Sequence, residues 1–68
     1  MKAVVYIKND WDYEVIDVWL GIYNHDGTPV DEHSVMGFDE SDWQQANQFA
    51  ETLAKTLNIE FVGDRTDT

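Results

Sequence analysis

"YEVIDVWLGIY", residues 13–23, is the stretch on which the fold turns. Branched aliphatic and aromatic residues dominate it and no proline interrupts it, which suits an extended strand. A period of two places Ile16, Val18, Leu20 and Ile22 on one face and Tyr13, Val15, Asp17, Trp19 and Tyr23 on the other. The first set is wholly aliphatic and is expected to face the core. The second mixes aromatic rings with a carboxylate, so that face is expected to stay partly wet.

The flanking segments extend the pattern. Upstream, "AVVYIK" (residues 3–8) reads as another strand, and with Val5 and Ile7 turned inward Tyr6 joins the mixed face. Downstream, Asp26-Gly27 signals a hairpin turn. Pro29 follows at once, which puts a third strand, roughly 30 to 37, at a sheet edge where a missing N–H does no harm. Ser41-x-x-Gln44 matches a capping box, with Asp39, Glu40 and Asp42 where the helix dipole favours anions. The helix is predicted to run to about Leu57. Trp43, Ala46, Ala50, Leu53 and Leu57 form its apolar stripe, widened by Phe49 and Ala54. Asn58 suits a left-handed helix end, and "IEFV" (59–62) a short last strand closed by Gly63.

These elements predict one α+β domain over residues 1–63. It is a small, largely antiparallel sheet of about four strands, in the order β-β-β-α-β, with one helix packed on one face. Residues 64–68 read as a flexible tail. A single helix leaves the mixed face, with Tyr13, Trp19 and Tyr23, without a cover in the monomer.

Charge is the outlier in composition. Fourteen acids against four lysines and arginines give −10 over 68 residues. From Asn9 to Ala54 there is no lysine or arginine, yet that window holds eleven acids. Such a surface repels nucleic acid and anionic membranes and attracts basic proteins or cations. No apolar run approaches the ~20 residues of a membrane span. Met1 leads straight into a strand without a signal-like apolar segment, and there is no cysteine for a disulfide. A soluble, cytoplasmic protein is expected.

Catalysis finds no support. There is no cysteine nucleophile, no G-x-S-x-G elbow around Ser34 or Ser41, and no phosphate or dinucleotide loop. Carboxylate pairs are inevitable in so acidic a chain and single none out. No cofactor is implied. "NHDGTPVDEH" (24–33) resembles a calcium loop only superficially. Aligning its Asp26-Gly27 puts His33 where the bidentate glutamate belongs. His25 and His33 have no partners at zinc spacing, so no metal site is expected. Aromatics on a sheet face can stack bases, but such platforms need a cationic surround that is absent here. No direct nucleic-acid binding is expected.

The remaining class is a protein-binding surface. On an extended strand Asp10, Asp12 and Glu14 would point the same way at ~6.6 Å intervals, like the anions of a phosphate backbone. Asp17 lies just beyond, and Asp31, Glu32, Asp39, Glu40 and Asp42 could add a second row. Trp11, Tyr13, Trp19 and Tyr23 among these acids would supply desolvated anchors. The expected partner is a basic nucleic-acid-binding protein. The chain is expected to be a monomer in isolation, with a dimer through the mixed sheet face as the alternative. In size, acidity and lack of catalytic motif the chain resembles the small phage-encoded inhibitors of host defence, the anti-CRISPR and anti-restriction DNA mimics. The resemblance is one of composition over the whole chain and carries no motif. It implies a DNA-mimic inhibitor of a host defence complex; a generic acidic interaction or regulatory domain is the alternative.

Overall fold

The computed structural model describes residues 1–66. Its elements follow the expected order: β1 (Lys2–Asp10), β2 (Val15–Tyr23), β3 (Pro29–Asp39), a 3-10 turn (Glu40–Asp42), α1 (Trp43–Leu57) and β4 (Glu60–Asp64). The sheet order is β3-β2-β1-β4. β1 and β3 flank β2 as antiparallel neighbours, and α1 carries the chain over one face so that β4 returns parallel to β1. β3 is an edge strand, as expected, with Pro29 at its first position.

The core lies between α1 and the sheet face bearing Val5, Ile7, Ile16 and Val18. The helix meets it through Ala46, Ala50 and Ala54, all buried. Their small side chains let the helix backbone approach the strands closely. Leu20, Phe38, Phe49, Leu53, Ile59 and Phe61 fill the margins, with Phe38 and Phe49 tilted against each other at 5.6 Å. The predicted stripe is therefore buried only in its middle. Leu57 in the last turn is half exposed and Trp43 in the first is 56% exposed. Ile22 is half-buried outside the main cluster.

Three local expectations change. The Ser41–Gln44 capping box does not form: Ser41 lies inside a 3-10 turn rather than at a helix N-cap, and its backbone N–H (3.0 Å) and hydroxyl (2.9 Å) both donate to the Asp39 carboxylate. A 3-10 turn intervenes, and Asp42 at the start of α1 makes no capping bond through its side chain. At the other end Asn58 adopts the left-handed conformation (φ 57°), as expected. Gly63 does not end the last strand. Its φ of 85° accommodates a bulge where the β1–β4 register slips between Val5 and Ile7, and pairing resumes at Asp64. In place of a tail from residue 64, the Arg65 N–H donates to the Ile7 carbonyl at 2.8 Å and the Asn9 N–H to the Thr66 hydroxyl at 3.0 Å. Residues 67 and 68 of the expected tail lie outside the described residues. No helix among the described residues is long and apolar enough to cross a membrane.

The Asp39 bonds have a consequence in acid. The Ser41 N–H, then its hydroxyl, hold the Asp39 carboxyl below the ordinary aspartate value of 3.8. A pKa depressed by folding stabilises the native state above the unfolded value, and that contribution is lost as pH falls through the folded value. Asp39→Asn keeps an acceptor oxygen but cannot titrate. It is expected to flatten the acid limb of the stability profile below about pH 4. Superimposable acid limbs for the two proteins would show that this bond does not govern acid unfolding.

Candidate partner-binding surface

The strand expected over 13–23 begins only at Val15, and the reason lies in the acids before it. Asp10 ends β1, and its carboxylate accepts the Asp12 N–H at 3.2 Å, turning the chain out of the sheet. Residues 11–14 form the reversal, and Glu14 closes it in the left-handed conformation (φ 54°). Asp10, Asp12 and Glu14 therefore do not share a strand face, and the regular row at strand spacing does not exist. Tyr13 is likewise absent from the mixed sheet face; it projects from the turn, 77% exposed.

What the fold builds instead is a cluster. The Glu14 carbonyl accepts the Glu40 N–H at 2.9 Å, and Val15 pairs with Asp39. The β1–β2 turn and the segment leading into α1 are thus fastened side by side at one end of the sheet. Six acids from two distant stretches share this rim: Asp10, Asp12 and Glu14 with Asp39, Glu40 and Asp42. The same two stretches carry exposed aromatic residues, Trp11 (66% exposed) and Tyr13 in the turn and Trp43 at the start of α1. The exposure of Trp43 is not expected from its spacing, which places it on the apolar stripe. The signal that could have found it is its position: it opens the helix straight after four polar residues, 39–42, at the end of the stripe.

The other candidate residues are dispersed. Asp31 and Glu32 lie along β3, opposite Ile22 and Gly21, and Asp31 holds His33 at 2.9 Å. Asp17 sits on the mixed face opposite Lys8. A shallow groove of about 370 Å³ leads from that face to the rim, lined by Asp17, Trp19, Asp10, Trp11 and Asp12 among others.

Trp19 and Tyr23 belong to a second small apolar layer rather than to an open platform. Tyr6, only 1% exposed, stacks parallel to Trp19 with ring centroids 6.5 Å apart. Lys8 lies over both rings, at 5.6 and 5.7 Å from their centroids. Arg65 lies over Tyr6 and Tyr23 and donates to the Tyr23 hydroxyl at 3.0 Å. Gly21 makes this possible. A Cβ there would come within 2.9 Å of the Tyr6 ring and 3.0 Å of the Tyr23 ring. Burial, and then the neighbouring Glu32 carboxylate, push the Tyr6 phenol well above its ordinary pKa. The hydroxyl nonetheless closes no hydrogen bond of good geometry among the described residues.

Two of the four basic residues, Lys8 and Arg65, are thus folded onto aromatic rings. Lys2 pairs with Glu60 at 3.5 Å, away from the rim. Among the described residues no lysine closes an ion pair with any of the eleven acids between Asn9 and Ala54. Unscreened repulsion among them opposes the compact state. The melting temperature is expected to rise as ionic strength goes from about 0.01 to about 0.15 M, where the Debye length falls from about 30 to about 8 Å. A flat or falling melting temperature would show that the acids do not repel one another appreciably. Among the described residues no group of three His, Asp or Glu side chains is arranged to hold a metal ion. Comparison with protein-family models, with curated proteins and with solved structures finds no significant match to this chain.

Proposed function

We propose that this chain is a non-catalytic acidic binding protein whose rim occupies the basic nucleic-acid-binding surface of a partner protein, as a DNA-mimic inhibitor. One observation carries the reading: six acids and three exposed aromatic residues from two separate stretches are gathered at one end of the sheet, with no lysine paired to them among the described residues. The carboxylates supply long-range attraction and orientation. Trp11, Tyr13 and Trp43 supply area that leaves water on contact. The mimicry is one of charge density rather than of a regular strand-borne row. The compositional resemblance to phage-encoded inhibitors suggests a host defence complex as the target, met in the cytoplasm.

The test is a pull-down from native host lysate with the full chain as bait, repeated with excess duplex DNA and with excess RNA. A partner displaced by nucleic acid supports occupation of a nucleic-acid site. A partner retained equally in all three conditions overturns mimicry and leaves a generic acidic interaction domain.

A further inference from the structure

β3 is the longest strand in the sheet, has one neighbour, and is exposed along all of its length except Phe38. Its outer edge pairs with no strand among the described residues. Bulges at Val30 and Val35 leave two regular runs, Asp31–Ser34 and Met36–Asp39. Exposed apolar side chains, Val30, Val35 and Met36, and the exposed acids Asp31, Glu32 and Asp39 lie along the same strand. The Glu32 N–H already donates to the Asp31 carboxylate at 2.9 Å; the rest of the edge offers its backbone donors and acceptors to an extended chain of compatible charge.

Charge selects the occupant. A second copy pairing antiparallel about Val35 would set Asp31 against Asp39 twice, between molecules that each carry −10. The same acids attract a basic strand. We propose that β3 is a strand-addition site for an extended, lysine- or arginine-bearing segment of the partner protein, whose apolar side chains pack on Val30, Val35 and Met36. The inference rests on the reading of a basic partner and names the form in which part of that partner is held.

The probe is a capped peptide of about seven alternating lysine and valine residues, a typical strand length, added to the isotope-labelled full chain. Amide exchange of residues 30–39 is followed by NMR. Exchange of edge amides in β3 is expected to slow on the order of tenfold, with β4 unchanged. The same peptide N-methylated at alternate residues keeps its charge but cannot complete the ladder, and is expected to give no protection. Raising the ionic strength from about 0.01 to about 0.15 M is expected to weaken the unmodified peptide several-fold. Equal effects of the two peptides, perturbation confined to residues 10–14, or no binding at all would overturn strand addition. Protection of β3 in the free protein that grows with concentration would overturn it in favour of a second copy. The peptide assay does not depend on the native partner. A DNA-displaced partner together with a silent β3 removes this inference alone. A responsive β3 together with a DNA-indifferent partner removes mimicry alone.

Discussion

Replacing Tyr6 with alanine is expected to remove most of the stability of this domain. Tyr6 is the largest fully buried side chain, yet it lies on the face opposite the helix. Truncating a buried aromatic costs about 3–5 kcal/mol in lost transfer and residual cavity. A chain of this length has roughly 3–10 kcal/mol in total. The loss also reaches its neighbours, because Trp19 stacks on the ring and both Lys8 and Arg65 lie over it. Tyr6→Phe is expected to behave oppositely. The hydroxyl has no hydrogen-bond partner among the described residues, so deleting it leaves stability unchanged or slightly raised. Urea denaturation of the pair measures both. A phenylalanine variant that loses more than about 1.5 kcal/mol would show a real bond to Glu32. An alanine variant that loses under about 1 kcal/mol would show that the second layer is not a packed structure. Gly21→Ala tests the same packing, since its Cβ would press on the rings of Tyr6 and Tyr23.

The order of elements was legible because short-range physics fixes it. The aliphatic set Ile16, Val18 and Leu20 can satisfy only an inward strand face, Pro29 suits an edge or a strand start, and Asn58 tolerates the left-handed helix end. The candidate site was legible by composition but not by geometry. Alternation in Asp10, Asp12 and Glu14 resembles a strand, but an aspartate whose carboxylate captures the N–H two residues on makes a turn instead. Residue type could not separate these outcomes, since both conformations suit the same letters. The pairing of this turn with residues 39–42 depends on one long-range bond, Glu40 N–H to Glu14 carbonyl, which no local pattern announces. The covering of the mixed face also escaped sequence reasoning. It requires Arg65, from the end of the chain, to reach Tyr6 and Tyr23.

That covering divides the aromatic residues into two groups, and the division predicts how binding responds to mutation. Reversing Asp12 and Glu14 together to lysine is expected to slow association with the partner captured by the pull-down by about tenfold or more at low salt, because steering scales with the field at the rim. The effect should shrink as salt rises. Trp11→Ala and Trp43→Ala remove exposed rings beside those acids and are expected to act on dissociation, accelerating it by up to about thirtyfold if either is a central anchor worth about 2 kcal/mol. All of these positions are exposed, so the fold should persist, as circular dichroism can verify. Trp19→Ala is the informative contrast. Its ring is already engaged by Tyr6 and Lys8, so its loss should lower stability while leaving the affinity of the folded fraction nearly unchanged. Stopped-flow association and dissociation measurements on the variants distinguish the two groups. A partner released by Trp19→Ala but indifferent to Trp11, Trp43 and the reversed acids would move the binding surface from the rim to the mixed face of the sheet. A response confined to the rim residues, with slower association from the charges and faster dissociation from the rings, would fix attraction and anchoring in the same small cluster.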